Sequence, residues 1–174
     1  ALDATTPSDI VVDLDLLTRT IAGRSGDLSL SGSGIFIGGS SPNNTVQAQG
    51  TLTLDASSVI DALAPGGGVV NLLSEAGPLA LPVLNFGSTG STARLIIRAD
   101  GDVDIPDAIR VGDAPGFTSG GTVSVASESG SIFFAGATLD AAEASNSLTL
   151  EAAIDVIVDG AVTDVSDDLT AYSF

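Results

Sequence analysis

The feature that most constrains this chain is a doublet of alternating apolar residues that returns at a near-constant interval. Leu28-Ser29-Leu30 is followed by a small turn and then Ile35-Phe36-Ile37. Leu95-Ile96-Ile97 leads in the same way to Val103-Asp104-Ile105, and Val123-Ser124-Val125 leads to Ile132-Phe133-Phe134. Leu148-Thr149-Leu150 leads to Ile154 to Val158, and Leu52-Thr53-Leu54 opens a half copy. The spacing is 24 residues from Leu28 to Leu52, 28 from Leu95 to Val123 and 25 from Val123 to Leu148. The 43 residues from Leu52 to Leu95 read as two such periods, with Val69 to Leu73 and Leu79 to Val83 as candidate strands between them.

Strict alternation over short runs bounded by Gly, Ser, Asn and Asp predicts half-buried strands joined by turns. A repeat in the twenties is the length one solenoid coil consumes, with two or three short strands and their turns. One apolar strand face cannot bury itself, whereas coils stacked ~4.8 Å apart align equivalent side chains into internal ladders. The expectation is an all-β parallel β-helix of about six coils, forming one domain or segment over 1–174 with a poorly repeating stretch at about 61–90. An antiparallel β-sandwich is the alternative, since it too gives short alternating strands, though it has no need of a repeated doublet. Helical spacing is confined to Ser57 to Leu63, before Pro65-Gly66-Gly67-Gly68.

Composition fits a narrow, regular interior. Hydrophobic residues make up 44 % of the chain but aromatics only 4 %, with 21 glycines. Cys, His, Met, Trp and Lys are all absent, and the basic residues are Arg19, Arg24, Arg94, Arg98 and Arg110. No disulfide or thiolate–imidazole metal site can form. The formal charge of −17 opposes binding to nucleic acid and anionic membranes, and keeps a repetitive β-surface in solution. No apolar run approaches the ~20 residues of a membrane helix.

Gly121-Thr-Val-Ser-Val-Ala, Gly130-Ser-Ile-Phe-Phe-Ala-Gly-Ala-Thr-Leu-Asp140 and Ser147-Leu-Thr-Leu through Val162 resemble the filamentous-haemagglutinin family of exoproteins, and Gly50-Thr-Leu-Thr-Leu-Asp-Ala56 has the same character. The resemblance covers the second half well, Gly26 to Asp61 moderately and Asp61 to Gly90 poorly. It implies a right-handed parallel β-helix, export to the cell surface, and a role as adhesin or scaffold without a catalytic set. The Asn-Pro-Asn-Leu-type motif of that family's export domain is absent, and Ser41-Pro42-Asn43-Asn44 is not one. What the resemblance implies is therefore passenger-type material, with a host or surface receptor as partner.

Several residues are candidates for contact. Alternation places Phe36, Phe133 and Ile157 outward in their strands, with Asp104 as the equivalent in the Leu95 copy. Phe133 and Ile157 would then form one exposed apolar stripe, unless a segment such as 61–90 folds over it. Asp9 to Leu16, with Ile10, Val12, Leu14 and Leu16 as its apolar face, reads as a strand available to cap the first coil or to be donated to a neighbour. The C-terminal stretch to Phe174 would lie across the last coil. If neither end is capped, copies would stack head to tail as filament subunits.

Asp100, Asp102 and Asp104 offer oxygens to Ca²⁺, though their spacing fits neither an EF-hand nor a nonapeptide β-roll; a solvated acidic turn is the plainer reading. Arg94 and Arg98 beside these aspartates give the best enzymatic reading, a β-helix enzyme acting on polysaccharide. Asp13/Asp15 or Asp102/Asp104 would supply paired carboxylates. With no His, Lys or Cys for general-base or nucleophilic work, the expectation is that the chain is not an enzyme. Asn43-Asn44-Thr45 fits a glycosylation sequon and equally a loop.

Overall fold

In a computed structural model, the residues described are 2–6, 8, 10–12, 16–18, 26–38, 41–56, 60–88, 93–111, 121–139, 147–159, 162–164 and 168–173. Seven successive windings account for them. The first is β1 (Leu2–Thr5), β2 (Ile10–Val12) and β3 (Leu16–Thr18); the second is β4 (Leu28–Gly32), β5 (Ile35–Ile37) and β6 (Asn43–Ala48). The third holds β7 (Leu52–Ala56), β8 (Ile60–Ala64), a 3₁₀ turn (Pro65–Gly67) and β9 (Val69–Ser74). The fourth holds β10 (Leu79–Ala80), β11 (Leu84–Ser88) and β12 (Ala93–Ala99). In the fifth and sixth, single long strands, β13 (Val103–Val111) and β15 (Ile132–Leu139), cover two faces before β14 (Gly121–Ser127) and β16 (Ser147–Ala152). The last is β17 (Val156–Val158), β18 (Val162–Asp164) and β19 (Asp168–Ser173).

Every strand pair is parallel, so the fold is a parallel β-solenoid and not an antiparallel sandwich. A parallel pair needs a crossover of a dozen or more residues, and each coil supplies it by way of two further faces. Face A stacks β1, β4 and β7, then β10, the first part of β13, the first part of β15, and β17. Face B stacks β2, β5, β8, β11, the second parts of β13 and β15, and β18. Face C is an unbroken seven-stranded sheet from β3 to β19, hence six coil-to-coil steps. The register of β13 against β15 shifts between Ile105 and Ala108, beside Pro106, where the strand passes from face A to face B.

The interior is a set of aliphatic ladders. On face C, Leu95, Val123 and Leu148 are Cα partners and fully buried, as are Ile97, Val125 and Leu150. On face A, Leu28 stacks on Leu52, and Val103 on Ile132. Among the described residues Phe86 and Phe134 are the largest buried side chains. Among the described residues the buried polar ones are Asn44, Ser74, Ser127 and Ser131. Ser127 Oγ donates to Gly101 O at 2.8 Å and accepts from Gly130 N at 3.1 Å, so it serves the C-to-A corner, where regular pairing lapses.

That corner also explains two glycines. Asp27 Oδ1 accepts the Thr51 N–H at 2.9 Å, and Asp102 Oδ1 accepts the Ser131 N–H at 2.8 Å. A Cβ on Gly50 or Gly130 would collide with the Asp27 or Asp102 carboxylate respectively, and at Gly130 also with the backbone of Gly101 and Asp102, so glycine is what lets the aspartate and the neighbouring coil's backbone lie this close.

Four expectations need correction. Ile60–Ala64, in the stretch with helical spacing, is strand β8, because its residues complete the ladder between β5 and β11. Of the segment 61–90, the described residues 61–88 do not fold over the outer surface; they supply most of β8 and all of β9, β10 and β11 of the stack itself. The doublet beginning at Leu28 is out of phase with the others: it lies on faces A and B, whereas those at Leu95, Val123 and Leu148 begin on face C. All three faces share the same period-two alternation, so the pattern alone does not say which face a strand joins. Nor is Asp9 to Leu16 one capping strand; Ile10–Val12 and Leu16–Thr18 belong to different faces of the first coil and pair in parallel with β5 and β6.

Candidate functional site

The side chains capable of contact lie on the outer faces, where the parallel register arranges them in rows. On face A, Ala80, Asp104, Phe133 and Ile157 are successive Cα partners. Their inward neighbours explain the exposure: Ile132 and Phe134 fill the core, so Phe133 points out, 40 % exposed, with Ile157 directly beside it at 45 %. The stripe expected from the alternation is therefore assembled. Phe36 is not part of it. It sits half-buried on face B between Val11 and Asp61, because its strand, β5, is the second and not the first of its coil.

Val12 is buried in the core and Ile10 is packed partly against it, so of these two neither presents an outward contact surface; Val11 between them does, at 66 % exposure. Leu16 pairs with Val46 in the face C ladder. Leu14, Phe174, Asp13 and Asp15 lie outside the described residues.

Sequence reasoning missed four exposed apolar residues: Leu2, Val11, Ile154 and Val158. Ile154 had a readable signal. The C-to-A corner carries Gly26, Gly50, Gly77, Gly101 and Gly130 in successive coils, and the Ile154 N–H donates to Gly130 O at 3.1 Å, so isoleucine takes the next glycine place. Leu2 and Val158 occupy inward positions. Leu2 stacks on the fully buried Leu28, and Val158 on Phe134. They are exposed, at 44 % and 42 %, because they belong to the first and last coils described.

The acidic turn is structural in part. Asp102 spends one oxygen on Ser131, and the Asp100 carbonyl accepts both the Ser129 N–H at 2.8 Å and its hydroxyl at 2.6 Å. Asp104 and Asp102 border a surface cavity together with Asp55 from coil three. Among the described residues no group of three His, Cys, Asp or Glu is placed to hold a metal ion. Arg94 and Arg98 are both exposed on β12, and Arg98 forms an ion pair with Glu128 at 3.3 Å. Glu151, two coils above Arg98 in the same row, borders a shallow depression over Ala126. Elsewhere the rows are joined by amide and hydroxyl links between coils, among them Gln47 to Glu75, Asn71 to Thr45 and Asn85 to Asp61.

No family model matches the chain, and neither a curated protein nor a solved structure matches it. No helix among the described residues is long and apolar enough to cross a membrane.

Proposed function

We propose that the chain is a non-catalytic structural and adhesive segment of a secreted bacterial surface exoprotein, with its outer stripe as the contact surface for a host or surface receptor. The observation that carries this reading is the pairing of Phe133 with Ile157 in an outward row. Two large apolar side chains stand exposed in an outward row that is polar or small in the other coils, at Asp3, Ser29, Thr53, Ala80 and Asp104. Exposed apolar residues in a contiguous group mark interaction surfaces, and a parallel ladder holds them at fixed spacing without ordering cost on binding. The repeat pattern resembling filamentous haemagglutinins supports the same role and an extracellular location.

The test is adhesion of protein-coated beads to cultured epithelial cells. The reading expects binding above that of albumin-coated beads, lost when Phe133→Ser and Ile157→Ser are combined while the circular dichroism spectrum is unchanged. Binding equal to albumin, or indifferent to both changes, contradicts it.

A second reading is a self-assembling filament subunit. What favours it is the register: Leu2 and Val158 repeat the inward positions of Leu28 and Phe134, so a second copy stacked in parallel continues the same ladders. Stacking β17 of one copy on β1 of the next would bury both and extend the ladders. Sedimentation over a dilution series separates the two readings, since fibres or concentration-dependent growth support the subunit and a single monomeric species opposes it.

A further inference from the structure

Face A is interrupted once. The strands β1, β4 and β7 form one three-stranded sheet that ends at β7, and β10 pairs onward only with β13. Across the same step the other faces are continuous. On face B, Ile60 to Ala64 pair with Leu84 to Ser88, and on face C, Val69 to Ser74 pair with Arg94 to Ala99.

The register tells which backbone groups meet at the break. The Leu28 N–H donates to Thr51 O at 3.0 Å, so Thr51 and Thr53 turn their peptide groups toward β4, and Leu52, Leu54 and Ala56 turn theirs toward β10. From the other side, Leu79 and Leu81 donate to Asp102 O and Asp104 O, each at 2.9 Å. Pro78, Ala80 and Pro82 therefore turn toward β7, and two of these three have no N–H to give. In place of the direct ladder bond, the Leu52 N–H donates to Ser74 Oγ at 3.1 Å, and that hydroxyl lies 3.2 Å from the carbonyl oxygens of both Gly77 and Pro78.

The outer side of the break opens into a cavity of about 480 Å³. Thr53, Leu54 and Asp55 form one lip, and Ala80, Asp102 and Asp104 the other; among the described residues no cationic side chain lines it. Carboxylates on both lips favour separation. The core beneath is shut, with Leu52, Leu54 and Leu79 all buried.

We propose that this break is a hinge: coils one to three and coils four to seven open against each other on face A while faces B and C hold them together. Opening there breaks no backbone ladder. It requires the Ser74 link, the corner bond from the Ala76 N–H to Gly50 O at 3.2 Å and the apolar contacts beneath to part, whereas opening at any other step of face A must break paired strands. A rod that presents a contact stripe on the same face, above the hinge, would thereby gain one defined direction of bending.

The chain has no cysteine, so single cysteines report opening cleanly. Leu54→Cys and Leu79→Cys bracket the hinge, and Leu30→Cys and Val103→Cys are equivalents one coil away. With a thiol reagent under native conditions the hinge pair should react at least about 10-fold faster than the controls, as local opening requires. In the unsubstituted protein, hydrogen exchange gives a second reading: the Leu52 amide, held by Ser74, should exchange at least about 10-fold faster than the Leu28 amide, held by Thr51. Pro82→Val restores the missing donor and should slow both probes at the hinge. Equal rates at hinge and control positions, or rates indifferent to Pro82→Val in a folded variant, would overturn the proposal.

Discussion

The carboxylate of Asp102 reaches across one coil to the backbone N–H of Ser131 at 2.8 Å, and Asp27 makes the same bond to Thr51 at 2.9 Å. Both stand at the corner between faces C and A, where a backbone donor has no ladder partner. The solenoid thus closes its corners with side-chain acceptors.

Asp102→Ala leaves the Ser131 N–H without this acceptor. The site is partly open to water, which limits the loss to about 1 kcal/mol, comparable to removing a helix cap. Asp102→Asn keeps an acceptor oxygen and should lose less. Urea denaturation of the two variants checks the order.

Gly130→Ala places a methyl group against the Asp102 carboxylate and against the backbone of Gly101 and Asp102, a contact that remains when the carboxylate is removed. It should destabilise by about 1–3 kcal/mol, the range of overpacked sites, and the loss should shrink in the double variant with Asp102→Ala. A double-mutant cycle measures that coupling.

Burial predicts a gradient along the stack. Ile97 is fully buried between Leu72 and Val125, and Ile97→Ala should cost about 2–5 kcal/mol. Leu2, nearly half exposed at the first coil, should cost clearly less when replaced by Ala. Equal losses at the two sites would contradict the stacking order.

The ion pair of Arg98 and Glu128 has side chains about half exposed, at 47 % and 52 %. Glu128→Gln should change stability by no more than about 0.5 kcal/mol, measured by the same denaturation.

Much of this architecture was legible in the residues. The doublets at Leu95, Val123 and Leu148 mark three consecutive strands of face C, and the step of 24 residues from Leu28 to Leu52 is a true coil step. The outward stripe of Phe133 and Ile157 followed from simple alternation. Phe36 was placed with them because Ile35-Phe36-Ile37 looks the same on any face; only the order of strands within a coil separates face A from face B. The stretch 61–90 looked irregular for a physical reason. Pro78 and Pro82 shorten β10 to two residues and remove donors, so the repeat is blurred there although the winding continues. Asp9 to Leu16 reads as one strand with an apolar face, yet Ile10–Val12 and Leu16–Thr18 lie on different faces of the first coil, and periodicity carries no sign of that change.

The most direct test of the account is the direction of side-chain contact between neighbouring coils, read from methyl nuclear Overhauser effects in the intact protein. Parallel stacking predicts Val123 against both Leu95 and Leu148, and Val125 against both Ile97 and Leu150, the two rows advancing together. Contacts in the reversed sense, Leu95 with Val125 and Ile97 with Val123, would mean antiparallel strands and contradict the solenoid.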